Sequence, residues 1–67
     1  MSVLKVIELL ASSPIGWEDA TRKAVEKASE SLKGIRSVYV QEQSAVVEDG
    51  KVTEFRVNVK ITFEVLD

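Results

Sequence analysis

The chain has no cysteine and no histidine among its 67 residues. Without cysteine there is no disulfide and no thiolate metal site. Without histidine the commonest transition-metal ligand and the commonest general base are both missing. An enzyme would have to rely on paired carboxylates, a lysine or a Ser-Lys pair, and nothing in the sequence assembles a nucleophile with a base. There is no glycine-rich phosphate loop. The net charge is −2, so there is no basic field to attract nucleic-acid phosphates. No apolar run approaches the ~20 residues of a membrane span. The first residues, Met1-Ser2-Val3-Leu4-Lys5, lack a secretory apolar region followed by a small-residue cleavage site. A cytoplasmic protein with no nucleic-acid or membrane partner is expected.

Residues 1–67 are expected to form one domain. A domain of this size buries little surface on folding, and small folds add disulfides, metals or subunits. With disulfides excluded, oligomerisation remains, alone or with a hard, oxygen-ligated cation.

What is present is a long alternating strand. Phe55, Val57, Val59, Ile61, Phe63 and Val65 alternate with Arg56, Asn58, Lys60, Thr62 and Glu64, giving one apolar and one polar face. From Val52 to Leu66 such a strand spans ~50 Å. The one helix with the right periodicity, Trp17 to Lys33, reaches roughly 25 Å. Half of the apolar face is then left for another chain to cover. The helix carries Ala20, Ala24, Ala28 and Leu32 at four-residue spacing, acids Glu18 and Asp19 in its first turn and Gly34 after its end. Val3 to Ala11 reads as a first strand, Ser12 to Gly16 as a turn, and Ser37 to Glu48 as a second strand. Asp49-Gly50 is a two-residue hairpin signal. The order is β-α-β-β, an α+β fold with one antiparallel hairpin.

Counting back from Asp49-Gly50 pairs Glu48 with Lys51, Val46 with Thr53, Val40 with Val59 and Val38 with Ile61. On the polar face it sets Gln43 against Arg56, Gln41 against Asn58, Tyr39 against Lys60 and Ser37 against Thr62. Glu42 and Ser44 then land on the apolar side, against Val57 and Phe55. A buried unpaired carboxylate is costly, so either a β-bulge near Glu42 resets the parity or Glu42 meets a partner or cation between subunits.

Few residues suggest chemistry. Glu18 and Asp19 read most simply as first-turn acids; as ligands they would supply only part of the shell a hard cation takes. Glu48 and Asp49 belong to the hairpin turn. Trp17 reads as a packing residue at the helix start, with a stacking platform as its functional alternative. Tyr39 reads as a cross-strand partner of Lys60. Arg56 reads as a solvated or inter-subunit charge, or as a group that holds a carboxylate or phosphate.

The segments Lys5-Val6-Ile7-Glu8-Leu9, Ser13-Pro14, Trp17-Glu18-Asp19-Ala20, Gly34-Ile35-Arg36, Glu42-Gln43 and Val47 through Phe55 resemble the dodecins across nearly the whole chain. The resemblance implies a sheet wrapped around one helix and a hollow homo-dodecamer that binds small ligands without catalysis. The best-known members bind and store flavins at subunit interfaces. They usually have Trp after the motif matched by Ile35-Arg36, where this chain has Ser37, and Gln after the aromatic matched by Phe55, where it has Arg56. Many have Arg after Glu42-Gln43, where it has Ser44. Arg36, Ser37, Gln43, Ser44 and Arg56 thus stand at the family's flavin-site positions.

A lost aromatic stack removes on the order of 1–3 kcal/mol per ring, by analogy with base stacking. Arg for Gln replaces a donor-acceptor with a donor-only cation. The pattern resembles the calcium-dodecin branch, which implies calcium ahead of FMN or riboflavin, with Glu18, Asp19 and Glu42 as the acids to test. Three readings follow: binding and storage of an ion or small ligand, retained flavin binding with storage and photoprotection, and a purely structural assembly.

Overall fold

The computed structural model describes residues 2–65. Its elements in chain order are strand β1 (Leu4–Ser13), helix α1 (Trp17–Ser29), strand β2 (Ile35–Glu48) and strand β3 (Lys51–Glu64). The sheet order is β1-β3-β2, with β3 antiparallel to both neighbours. This is the expected α+β arrangement, β-α-β-β.

Helix α1 packs through Ala20, Ala24 and Ala28, at 0%, 4% and 8% exposure, onto Val57, Val59 and Ile61 of β3, at 1%, 0% and 0%. Alanine has no side chain beyond Cβ, so the helix lies close to the sheet. Ile7 and Leu9 of β1 and Val38 of β2 pack around this centre, half-buried. The molecule is 50 Å long, while a 13-residue helix covers only ~20 Å. The hairpin end lies beyond its reach, and Val47 and Val52 there are 62% and 52% exposed.

Asp49 and Gly50 have φ of 51° and 73°. That is the left-handed pair a type I′ hairpin requires, and it pairs Glu48 with Lys51 as expected. The register counted back from the turn holds again from Val40–Val59 through Tyr39–Lys60, Val38–Ile61 and Ser37–Thr62. Between these stretches it is offset. An extra residue on β2, Gln41, and a compensating one on β3, Thr53, shift the intervening pairs by one. Glu42 therefore faces Asn58, Gln43 faces Val57, Ser44 faces Arg56 and Val46 faces Glu54. The expected pairs Gln41–Asn58, Gln43–Arg56 and Val46–Thr53 do not form. Of the two explanations offered for Glu42, the bulge is the one observed. A third irregularity leaves Arg36 as the extra residue between Ile35 and Ser37.

Element ends also differ from the sequence reading. The helix stops at Ser29, not Lys33. The amides of Glu30 and Ser31 bond back only three residues, to the Lys27 and Ala28 carbonyls at 3.2 and 3.1 Å, which tightens and closes the last turn. Gly34, at φ 78°, turns the chain into β2 instead of capping the helix. Strand β1 runs on through Ser12 and Ser13 because these pair with Arg56 and Phe55. Ser13 is fully buried, accepts the Ile15 amide at 3.0 Å and donates to Asp19 Oδ2 at 2.6 Å. The N-cap Gly16 offers no side-chain cap, and the Ser13–Asp19 bond instead ties the first turn of α1 to the end of β1. Strand β3 ends at Glu64, and the expected Leu66 end lies outside the described residues.

The close helix–sheet approach has a direct test. Ala24→Leu should destabilise the fold by about 1–3 kcal/mol through overpacking, read by chemical denaturation at fixed subunit concentration. An unchanged midpoint would mean that the alanine stripe is not the spacing element.

Candidate functional site

Cross-strand partners share a face, so the register lays out the sheet surface away from the helix as rows running β1–β3–β2. The rows are Val6–Thr62–Ser37, Glu8–Lys60–Tyr39, Leu10–Asn58–Glu42 and Ser12–Arg56–Ser44. This face is mixed. On β1, Leu4, Val6 and Leu10 are 52%, 58% and 73% exposed. The central and β2 columns are polar apart from Tyr39, which is 65% exposed. Strand β1 is thus apolar on both faces. Its nearly continuous apolar run from Val3 to Ala11, broken by Lys5 and Glu8, was the available signal for a strand buried on both sides.

Of the flavin-site positions, the fold brings Ser44 and Arg56 directly opposite each other. Ser37 lies at the Thr62 row, six residues further along β3 and so ~20 Å away. Gln43 leaves this face altogether, since its partner is Val57. Arg36, in its bulge, hydrogen-bonds and ion-pairs with Glu64 across the strand end. Hydrogen bonding from the Arg36 guanidinium, then from the Ser2 side chain, and the Arg36 charge hold the Glu64 carboxyl below its usual 4.5.

The candidate cation ligands are placed apart. Glu18 pairs with Arg22 one turn on. Asp19 is engaged by Ser13 and lies 3.9 Å from Lys23. Both are on the helix, whereas Glu42 is on the opposite face of the sheet beside Asn58. Among the described residues no three acidic groups come together around a possible metal. Asn58 Oδ1 is a buried side-chain oxygen with no hydrogen-bond partner among them. An oxygen so placed is costly, and no sequence pattern marked it.

Trp17 is a packing residue at the helix–hairpin junction. Its indole donates to the Ser44 carbonyl at 2.8 Å, and its ring meets Phe55 edge-on at 5.0 Å. The indole therefore ties the start of α1 to both strands of the hairpin.

These features are those of a small α+β subunit with an incompletely covered sheet. The family model for Dodecin matches residues 3–66, and the chain belongs to the dodecin family. It is 40% identical over 65 residues to calcium dodecin of Mycobacterium tuberculosis, covering 96% of this chain and 90% of the relative. The crystal structure of that calcium dodecin, described as a calcium-chelating antigen with a novel calcium-binding site, matches with TM-score 0.84 and 36% identity over 97% of this chain and 93% of that one. Dodecin from Streptomyces coelicolor matches with TM-score 0.94 and 30% identity over 98% and 94%.

The Arg36–Glu64 pair sets a pH dependence. A carboxyl with a lowered folded pKa stabilises the fold fully above its unfolded value, and the contribution is lost as pH falls through the folded value. Glu64→Gln should therefore weaken the protein at neutral pH and flatten the loss of stability below about pH 4.5. Melting temperatures from pH 7 to pH 3 report it; parallel curves for variant and parent would refute the pair's role.

Proposed function

We propose that the protein is a dodecin-type binding and storage module, not an enzyme, that works in the cytoplasm as a hollow homo-dodecamer whose flavin site has been remodelled for a cation or another small ligand. The observation that carries this reading is Ser37. Its position is where the family resemblance implies a flavin-stacking indole, and it is an exposed hydroxyl paired with Thr62. Similarity to calcium dodecin supports calcium as the first ion to test. Within one subunit Glu42 and the Asn58 amide are oxygens set side by side in one row of this face, while hard cations such as calcium take six to eight in general. A complete shell would have to be shared between subunits. Assembly is supported by the exposed Leu4, Val6 and Leu10 and by the apolar hairpin end, since soluble monomers seldom leave such surface uncovered. No helix among the described residues is long and apolar enough to cross a membrane.

A second reading keeps flavin binding, with storage and photoprotection. It is favoured by Tyr39, an exposed aromatic one row from Ser37 on the same face. Trp17 is a poorer substitute because its indole is already bonded to Ser44 and packed on Phe55. A purely structural assembly is the third reading, and absence of any bound ligand would favour it.

The test is a titration of riboflavin and FMN, followed by flavin-fluorescence quenching, with calcium titrated in parallel by calorimetry. It uses protein whose mass is known from sedimentation. Absence of quenching at micromolar concentration together with saturable calcium binding is the expected result. Strong quenching that disappears in Tyr39→Ala would establish the second reading. A mass of one or two subunits would overturn the assembly on which the proposal depends.

A further inference from the structure

We propose that Arg56, with the Ser12 and Ser44 hydroxyls on either side, binds a small oxyanion, a phosphate or carboxylate group. The inference rests on the reading of the protein as a small-ligand module and names the chemistry of one part of its ligand.

The chain has three arginines. Arg22 is paired with Glu18 and Arg36 with Glu64. Arg56 forms no ion pair or hydrogen bond with any described side chain. Its placement is nevertheless central, on the middle strand of the sheet and on the face free of the helix. Opposite-charge partners directly across a ladder are a common way to satisfy such a residue, and Glu8 and Lys60 are set that way. Arg56 instead faces a serine on each side. Neither hydroxyl bonds another described residue; Ser44 is engaged only through its carbonyl, by Trp17. Five fixed donors on a guanidinium, flanked by two free hydroxyls, match the oxygens of a carboxylate or phosphate.

The bulges built this arrangement. An unbroken ladder from the hairpin would set Gln43 opposite Arg56. Its amide carbonyl could accept from the guanidinium and occupy the donors that a ligand needs. The extra residues Gln41 and Thr53 displace the ladder by one and bring the short Ser44 there. Bulges often re-aim side chains next to functional sites. Leu10, Ala11, Ser12 and Arg56 line a depression of about 280 Å³ on the β1 side of the guanidinium. Leu10 and Ala11 form its apolar wall beside the guanidinium. The acids sharing the face, Glu54 two residues earlier on β3 and Glu42 diagonally across on β2, form no ion pair with Arg56. They leave the β1 side as the approach for an anion.

Calorimetric titration of the assembled protein with sodium phosphate and with succinate, at constant ionic strength, tests the proposal. Saturable binding tighter than about 1 mM is expected for at least one probe, and which probe binds identifies the anion. Arg56→Gln should weaken it by about tenfold or more, and Arg56→Lys less, because the charge stays while the planar fork is lost. Ser12→Ala should weaken it a few-fold. The proposal is overturned if neither probe binds saturably, or if Arg56→Gln binds as the parent does. Should Arg56→Gln not assemble, unchanged affinity in both Arg56→Lys and Ser12→Ala overturns it. A protein of dodecameric mass that binds calcium but ignores both anions would defeat this inference alone and leave the storage reading standing.

Discussion

The contact between the alanine stripe of α1 and the middle of β3 governs the rest of the structure. Ala20, Ala24 and Ala28 let the helix backbone sit close over Val57, Val59 and Ile61, which makes the centre of the sheet fully dry. The same closeness limits what the helix can cover. Small side chains reach little beyond the helix axis, so Ile7, Leu9 and Val38 are only partly enclosed. The hairpin, longer than the helix by more than half the molecule, extends into solvent. A tight but narrow core thus leaves apolar strand surface outside it.

Much of this was legible in the residues. Strict alternation along β3 gave its two faces, and Asp49-Gly50 gave the hairpin turn and the pairs on each side of the displaced stretch. The four-residue spacing of alanine gave the buried helix stripe. What was not legible depends on energies that no local pattern encodes. Ser12-Ser13 has turn composition, yet both residues pair in β1 because Ser13 can satisfy its hydroxyl in two bonds while buried. The helix ends short of Lys33, although Leu32 continues the apolar spacing, because the Glu30 and Ser31 amides have already tightened to three-residue bonds. At the site, the sequence singled out Arg56 and Ser44 but could not bring them together. That required knowing where the ladder slips.

The slip is the consequential detail. A single bulge would have reversed the faces of everything beyond it. Two, one on each strand of the hairpin, confine the reversal to the stretch between Gln41 and Thr53. Both ends keep the alternation that the hairpin turn and the core demand. Glu42, which an unbroken ladder would bury against Val57, is released to the polar face, and Gln43 takes the apolar side near the edge of helix coverage, where it stays exposed. Relief of a buried charge and construction of the Ser12–Arg56–Ser44 row are therefore consequences of one backbone adjustment. The Trp17–Ser44 hydrogen bond fixes the displaced strand against the start of the helix.

The exposed sheet face divides along its strands. Strand β1 offers Leu4, Val6 and Leu10, side chains that gain most by being removed from water. The β3 and β2 columns offer amides, hydroxyls and single charges, which gain little from burial unless a specific partner meets each one. An interface between copies would use the first column for area and the second for register, and any polar group that the partner copy does not satisfy would have to find a ligand or keep its water. Arg56 is the strongest such group. It is always charged, it is the arginine without a carboxylate among the described residues, and its two flanking serines can extend an anion's hydrogen bonding but cannot neutralise a charge. In an assembly that covers β1, the guanidinium moves into a lower dielectric, where an unpaired charge costs more and a bound anion gains more. Assembly and anion binding would then reinforce one another, with the apolar column supplying the desolvation that gives the polar column its affinity.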